Sequence, residues 1–114
     1  MAKVQLRDAN WEPALGRLRA LCLELPGAGE TLTYGNPTFK VGKKPFAVLD
    51  NYAGETCVWA RCEAAKRAHF LADPGCFAAP YDRAQTALCW KVEGMDWPAL
   101  SDRLRESHAL ALLS

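Results

Sequence analysis

The chain lacks most of the features that announce a function outright. No stretch is long and apolar enough to span a bilayer. The opening residues, Met1 to Asp8, hold no apolar core of the kind a secretory leader needs. No glycine-rich loop has the spacing that cradles phosphates, and no strand-to-helix elbow presents a nucleophile. Cysteine occurs at positions 22, 57, 62, 76 and 89, but Cys57 and Cys62 stand five apart, not at the Cys-x₂-Cys spacing of a metal knuckle. Charge of one sign is missing too: 14 Lys and Arg against 13 Asp and Glu leave a net charge of +1. A dedicated DNA-binding domain is usually clearly basic. Any nucleic-acid binding here therefore requires charge gathered on one face, and it should be weak and salt-sensitive.

What is present fits a small folded domain. The 114 residues are half apolar, enough for one core and one domain spanning 1–114 without metals or cross-links. There is no internal repeat, linker or low-complexity tract. An odd, scattered set of cysteines with no export signal predicts reduced thiols and a cytoplasmic protein. His69 and His108 fall on different predicted helices and make no ligand pair with the cysteines, so no metal and no cofactor is expected. A free buried cysteine packs as a small hydrophobe.

The stretch Tyr34 to Phe46 carries the most information. Gly35 tolerates φ > 0 and Pro37 fixes its own φ, so Gly35-Asn36-Pro37 should bend sharply into an extended chain. Thr38 to Val41 alternates, with Phe39 and Val41 on one face and Thr38 and Lys40 on the other. Gly42-Lys43-Lys44 reads as a hairpin tip and Pro45 as the start of the returning strand. The unit is a β-wing with a basic tip.

Around it, Asn10 can cap a helix from about Trp11 to Leu25, with Trp11, Leu15, Leu18, Cys22 and Leu25 as its buried stripe. Thr31 to Tyr34, Phe46 to Leu49 and Thr56 to Ala60 read as strands, with a turn at Asn51 to Gly54. Glu63 to Leu71 reads as a short helix burying Ala64, Ala68 and Leu71, with Lys66 and Arg67 in solvent. Phe77 to Tyr81 reads as an irregular loop and Thr86 to Val92 as a last strand. Asp96 should cap a terminal helix with Pro98 in its first turn and with Trp97, Leu100, Leu104 and Ala111 inward. This order predicts an α+β domain: an antiparallel meander plus a further strand, with helices packed on one face.

Three segments resemble the MmcQ/YjbR family of small bacterial proteins. Tyr34-Gly35-Asn36-Pro37-Thr38-Phe39-Lys40-Val41 is similar to that family's aromatic-Gly-His-Pro-x-Phe-Lys/Arg-Val turn, with Asn36 where His is commoner. Asp73-Pro74-Gly75-Cys76-Phe77 followed by Pro80-Tyr81 resembles its aspartate-proline and proline-tyrosine loop. Asp96-Trp97-Pro98-Ala99-Leu100 resembles the start of its terminal helix. The resemblance implies a frataxin/CyaY-like fold and a DNA-binding role through a wing-like hairpin. Two departures stand out. Asp82 to Cys89 lacks the glycine-rich run expected before the last strand. Glu12 and Glu24, with Asp8 just ahead of them, are too sparse for an acidic iron-binding ridge.

The expected function is non-catalytic DNA binding through the phosphate backbone, by shape and charge, since no recognition helix is evident. The candidate contacts are Lys40, Lys43 and Lys44 on the wing, Arg61 at a strand end, Arg83 after the proline-tyrosine loop and Lys91 on a neighbouring strand. Tyr34 and Tyr81 are candidate stacking or hydrogen-bonding partners. Lysines at a hairpin tip also serve to keep an edge soluble and block strand addition. The alternative is a small-ligand or protein-interaction module using the Tyr34 to Pro37 loop and Tyr81 as a pocket rim. Trp11, Trp59, Trp90 and Trp97 fall on apolar faces and should pack in the core, although one near Tyr34 can instead line a small pocket. Asp50 and Asp82 read as solvated acids near turns.

Overall fold

The computed structural model describes residues 7–80 and 82–114. A helix, α1 (Trp11–Cys22), leads into four consecutive strands, β1 (Ala28–Thr33), β2 (Asn36–Val41), β3 (Lys44–Tyr52) and β4 (Glu55–Arg61). A 3₁₀ turn (Ala64–Lys66) and a short α2 (Arg67–Leu71) follow. Then come β5 (Cys76–Ala78), β6 (Ala87–Lys91) and the long α3 (Trp97–Leu113). The strands form one antiparallel sheet in the order β1-β2-β3-β4-β6-β5.

Alternation sorts each strand into two faces. Phe39, Ala47, Leu49, Val58 and Ala60 face the helices, and the first four meet Trp11, Leu15 and Leu18 of α1 and Leu100, Leu104 and Ala111 of α3. Phe70 of α2 packs on the same side against Cys76, Leu88 and Trp90. All three helices therefore cover one face, as the α+β expectation required, and no helix among the described residues covers the other.

Three two-residue turns build the meander. Tyr34 (φ 52) with Gly35 (φ 81), and Ala53 (φ 54) with Gly54 (φ 85), take left-handed conformations at both central positions, the type I′ pattern that matches strand twist. At the wing, Gly42 (φ 61) takes positive φ while Lys43 does not, as a II′ turn demands. The first bend thus lies at Tyr34-Gly35, one residue earlier than the sequence suggested, and Asn36-Pro37 already belong to β2.

Other boundaries moved as well. α1 ends at Cys22 because Leu25 and Pro26 turn toward β1, and Asn10 spends its side-chain amide on Glu93 (2.7 Å), not on capping. Asp8 ties the helix start to the sheet instead, accepting from Asn10 N (3.0 Å), Thr56 N (3.1 Å) and Thr56 Oγ1 (2.6 Å). In the second helix the inward residue is Phe70, while Ala64, Ala68 and Leu71 are exposed. Lys66 pairs with Glu106 and Arg67 donates to Ala87 O, so neither merely faces solvent. Phe77 and Ala78, read as part of a loop, form an edge strand on β6 together with Cys76. The terminal helix follows expectation: Asp96 Oδ1 accepts from Ala99 N at 3.1 Å with Pro98 in the first turn.

The β2–β3 ladder slips between Phe39 and Lys40, so Lys40 faces Pro45 while Phe39 faces Ala47. Phe46 is the extra residue of this bulge, and both Phe46 and Ala47 are fully buried. A bulge leaves ladder groups without partners, and α3 supplies one. Ser107 Oγ donates to Phe46 O (2.5 Å) and accepts from Arg61 N (2.8 Å). A helix hydroxyl thus stands between β3 and β4 at the root of the wing.

Candidate functional site

The open face of the sheet carries Thr38, Lys40, Val48, Asp50, Cys57, Trp59, Arg61, Cys89 and Lys91, each at the opposite parity to the core residues. The segment after β5 folds across part of it. Ala79 packs with Cys57, Ala87 and Cys89, and Pro80 reaches toward Trp59. Hydrogen bonding to Cys57 and burial both push the Cys89 thiol up. Elsewhere burial pushes Cys22 and Cys76 to about 12. Among the described residues no group of three or more Cys, His, Asp or Glu is arranged to hold a metal.

Strand direction divides the predicted cations. β2 runs down to Val41, β3 runs up from Lys44, β4 runs down to Arg61 and β6 runs up to Lys91. Lys40, Lys43, Lys44 and Arg61 therefore gather at the lower end, around the wing. Lys43 and Lys44 are exposed and Lys40 is half-buried. Arg61 is partly structural: its Nε donates to Pro45 O (2.7 Å), which straps β4 to the returning wing strand, and burial holds its guanidinium below the usual value. Lys91 lies apart. It pairs with Cys57, four residues from Arg61 and about 13 Å up the strand, and its Nζ lies 3.5 Å from Glu55 Oε2. Arg83 is exposed in the loop before β6. Tyr34, 97 % exposed, sits in the turn at the upper end of β2. Tyr81 lies outside the described residues.

Most cations of the body are already engaged. Arg19 grips Glu30, Lys66 and Arg103 share Glu106, and Arg105 pairs with Asp102. Arg7 and Arg17 lie over Trp11 and Trp97. Among the described residues, no carboxylate lies within ion-pair distance of Lys40, Lys43 or Lys44. Among the described residues the wing gathers three lysines without a carboxylate partner, while Arg7, Arg17, Arg61, Arg67 and Arg83 are further cations outside any ion pair.

Above the wing, the open face hollows into a cavity of about 430 Å³. Thr38, Val48 and Trp59 form its floor, Lys40 and Pro45 its lower end, and Asn36 and Asp50 its upper end beneath Tyr34. Asp50 Oδ1 accepts from Asn51 N (2.7 Å) and Asn36 Nδ2 (3.3 Å), while Asn36 Oδ1 is buried without a hydrogen-bond partner. Sequence reasoning placed Trp59 in the core and Asp50 in solvent. The parity that sends Val58 to the helices sends Trp59 to the open face, and that signal was readable in Cys57-Val58-Trp59-Ala60. Nothing in the sequence showed that Asn36 and Asp50 meet across β2 and β3.

Residues 23–110 match the family model described as YjbR. No curated protein matches the chain. Among solved structures, the crystal structure of Deinococcus radiodurans protein DR2400, with family-model domain DUF419, is similar in fold. It aligns with a TM-score of 0.73 at 21 % identity, over 84 % of this chain and 76 % of that one.

Proposed function

The chain belongs to the YjbR family, and from that premise we propose that it is a non-catalytic DNA-binding protein that holds the phosphate backbone on its β2–β3 wing. The observation that carries this reading is the absence of carboxylate partners around Lys40, Lys43 and Lys44, set against the paired cations of the body. Lysine acts on phosphate as a mobile point charge, which suits non-specific contact. Arg61, at the same end, adds a guanidinium whose Nε is already fixed. Lys91 is expected to stay with Glu55 and contribute little. Tyr34 and Tyr81 are candidate partners beyond the charged cluster, and Arg83 extends the basic surface only if the duplex bends toward its loop.

Four phosphate contacts give a log–log salt slope of roughly −3.6, so raising salt from 50 to 200 mM should weaken binding about a hundredfold. A mobility-shift titration with a short duplex at 50 mM salt tests this. The unmutated protein should bind, Lys43→Glu with Lys44→Glu should abolish retention while circular dichroism stays native, and Lys91→Gln should bind nearly as well as the parent. No retention by the unmutated protein at low salt refutes the reading.

A further inference from the structure

No helix among the described residues covers the open face beside the wing, yet that face carries a tryptophan. Thr38, Val48 and Trp59 stand in register across β2, β3 and β4, one rung about 10 Å wide. Two short side chains beside the large indole leave the hollow of about 430 Å³, a size usual for small-ligand sites. The indole that lines it is apolar surface that a second flat ring can bury by stacking. The charges around it are graded. Among the described residues, Asp50 at the upper end has no cation within ion-pair distance, and Lys40 at the lower end has no carboxylate. Asp50 is level with Asn36, which donates to it at 3.3 Å, and Asn36 and Lys40 stand four residues apart on β2, about 13 Å. An anionic group is therefore drawn to the lower end and repelled from the upper. Lys43 in the turn and Lys44 at the end of the ladder continue the positive charge toward the tip.

Resting on the wing as the surface that holds phosphate, we propose that the protein takes single-stranded DNA, with one unpaired base against Trp59 and its phosphate at Lys40. Stacking on an aromatic side chain suits any base, because every base has a π-face. In a duplex the bases are paired and stacked on one another. One of them reaches the hollow only after it is pulled out of the double helix, at a cost. An unpaired strand avoids that cost. The wing alone does not distinguish the two forms, since both carry phosphates. The tryptophan does. Proteins that bind single strands combine these same two elements, a basic track for the backbone and aromatic side chains for the bases. The site selects unpaired bases, not a sequence.

The test is a fluorescence-anisotropy titration at about 50 mM salt with three labelled ligands of equal length: an oligothymidylate strand, a duplex and a strand of abasic sites. On the unmutated protein the oligothymidylate should bind at least about fivefold more tightly than the abasic strand, which keeps every phosphate, and than the duplex. Neither comparison depends on a variant folding. Trp59→Leu keeps an apolar side chain against Cys57 and Ala79 but removes the ring. It should weaken the oligothymidylate roughly 5- to 150-fold and leave the duplex within about twofold. Thymidine monophosphate, with a single phosphate, should bind at least about tenfold more weakly than the strand. Equal affinity for the abasic and thymidine strands, a duplex bound as tightly as the strand, or a folded Trp59→Leu variant that binds the strand like the parent overturns this inference and leaves the wing reading standing. Thymidine monophosphate as tight as the strand also overturns it, in favour of a free nucleotide. Oligouridylate bound more than about tenfold more tightly than oligothymidylate overturns the DNA assignment in favour of RNA. A retained strand with no retained duplex supports the inference and refutes duplex binding. Retention of neither overturns both.

Discussion

Replacing Ser107 by alanine should unseat the root of the wing. Its hydroxyl is fully buried and serves two backbone groups at once, donating to Phe46 O and accepting from Arg61 N. Alanine keeps the helix and the volume, apart from one oxygen, and leaves both groups without a partner. Each buried group that loses its hydrogen bond costs about 1–3 kcal/mol. Partial relaxation of the bulge trims the sum to roughly 2–4 kcal/mol. That is a large share of the 5–15 kcal/mol that holds a typical domain together. For a chain of this length it corresponds to a fall in Tm of about 10 °C. Urea unfolding should show a lower midpoint with an unchanged slope, because the native surface is unaltered. Ser107→Thr should recover part of the loss if its methyl group fits. A Ser107→Ala variant within about 0.5 kcal/mol of the parent would mean that the bulge satisfies itself, and that α3 does not fix the angle of the hairpin. A variant that is destabilised yet still folded at low temperature should also bind duplex DNA less tightly, since Arg61 and Pro45 meet at the same junction.

Asp8→Asn should cost about 1 kcal/mol at pH 7, near the low end for charged hydrogen bonds because the site is partly open to water. The Thr56 hydroxyl chiefly, then the Thr56 and Asn10 backbone N–H groups, hold the Asp8 carboxyl below its ordinary 3.8. The folded value is lowered, so this stability is present above the unfolded pKa and lost as pH falls through the folded one. The gap between parent and variant should therefore close in acid denaturation below about pH 4, and a gap that stays constant to pH 2 would contradict this. Ellman's reagent at pH 8 should find at most one readily reacting thiol in the native protein, the half-buried Cys62, and all five in denaturant. Two or more fast native thiols would show that Cys22, Cys76 and Cys89 are not shielded. Gly42→Ala should cost about 1 kcal/mol through its left-handed backbone alone, since a Cβ there meets nothing. Duplex binding by that variant should survive once folding is confirmed by circular dichroism.

Local chemistry was what the sequence revealed best. Phe39 and Val41 against Thr38 and Lys40 gave strand and facing together, and Asp96 with Pro98 marked the start of α3. What escaped depends on distant partners. Cys76-Phe77-Ala78 becomes a strand only because β6 lies beside it. Phe70, not Ala68 or Leu71, turns inward because Trp90 and Arg103 wait there. The bulge at Phe46 needs Ser107, sixty-one residues later, to be tenable. In the candidate site the wing lysines were legible as a hairpin tip. The pairing of Lys91 with Glu55 required the register of β4 and β6. The cavity was foreseen as a rim at the Tyr34 to Pro37 loop and Tyr81 with a tryptophan beside it, but not which tryptophan or which floor, because the floor comes from three strands whose alignment no short segment encodes.

The strand order has a kinetic consequence. Four of the five pairings join strands that follow one another along the chain, three of them through two-residue turns. Such short-range contacts close in microseconds and favour rapid assembly. The exception is β4 with β6, which must wait for residues 62–86 to be enclosed between them. The meander should therefore zip first and remain unfinished, with Phe39, Leu49 and Val58 covered by α1 alone, until α3 completes the core. During synthesis the greasy side of the sheet leaves the ribosome well before α3, the larger part of its cover, so that interval is when this protein is most exposed to aggregation.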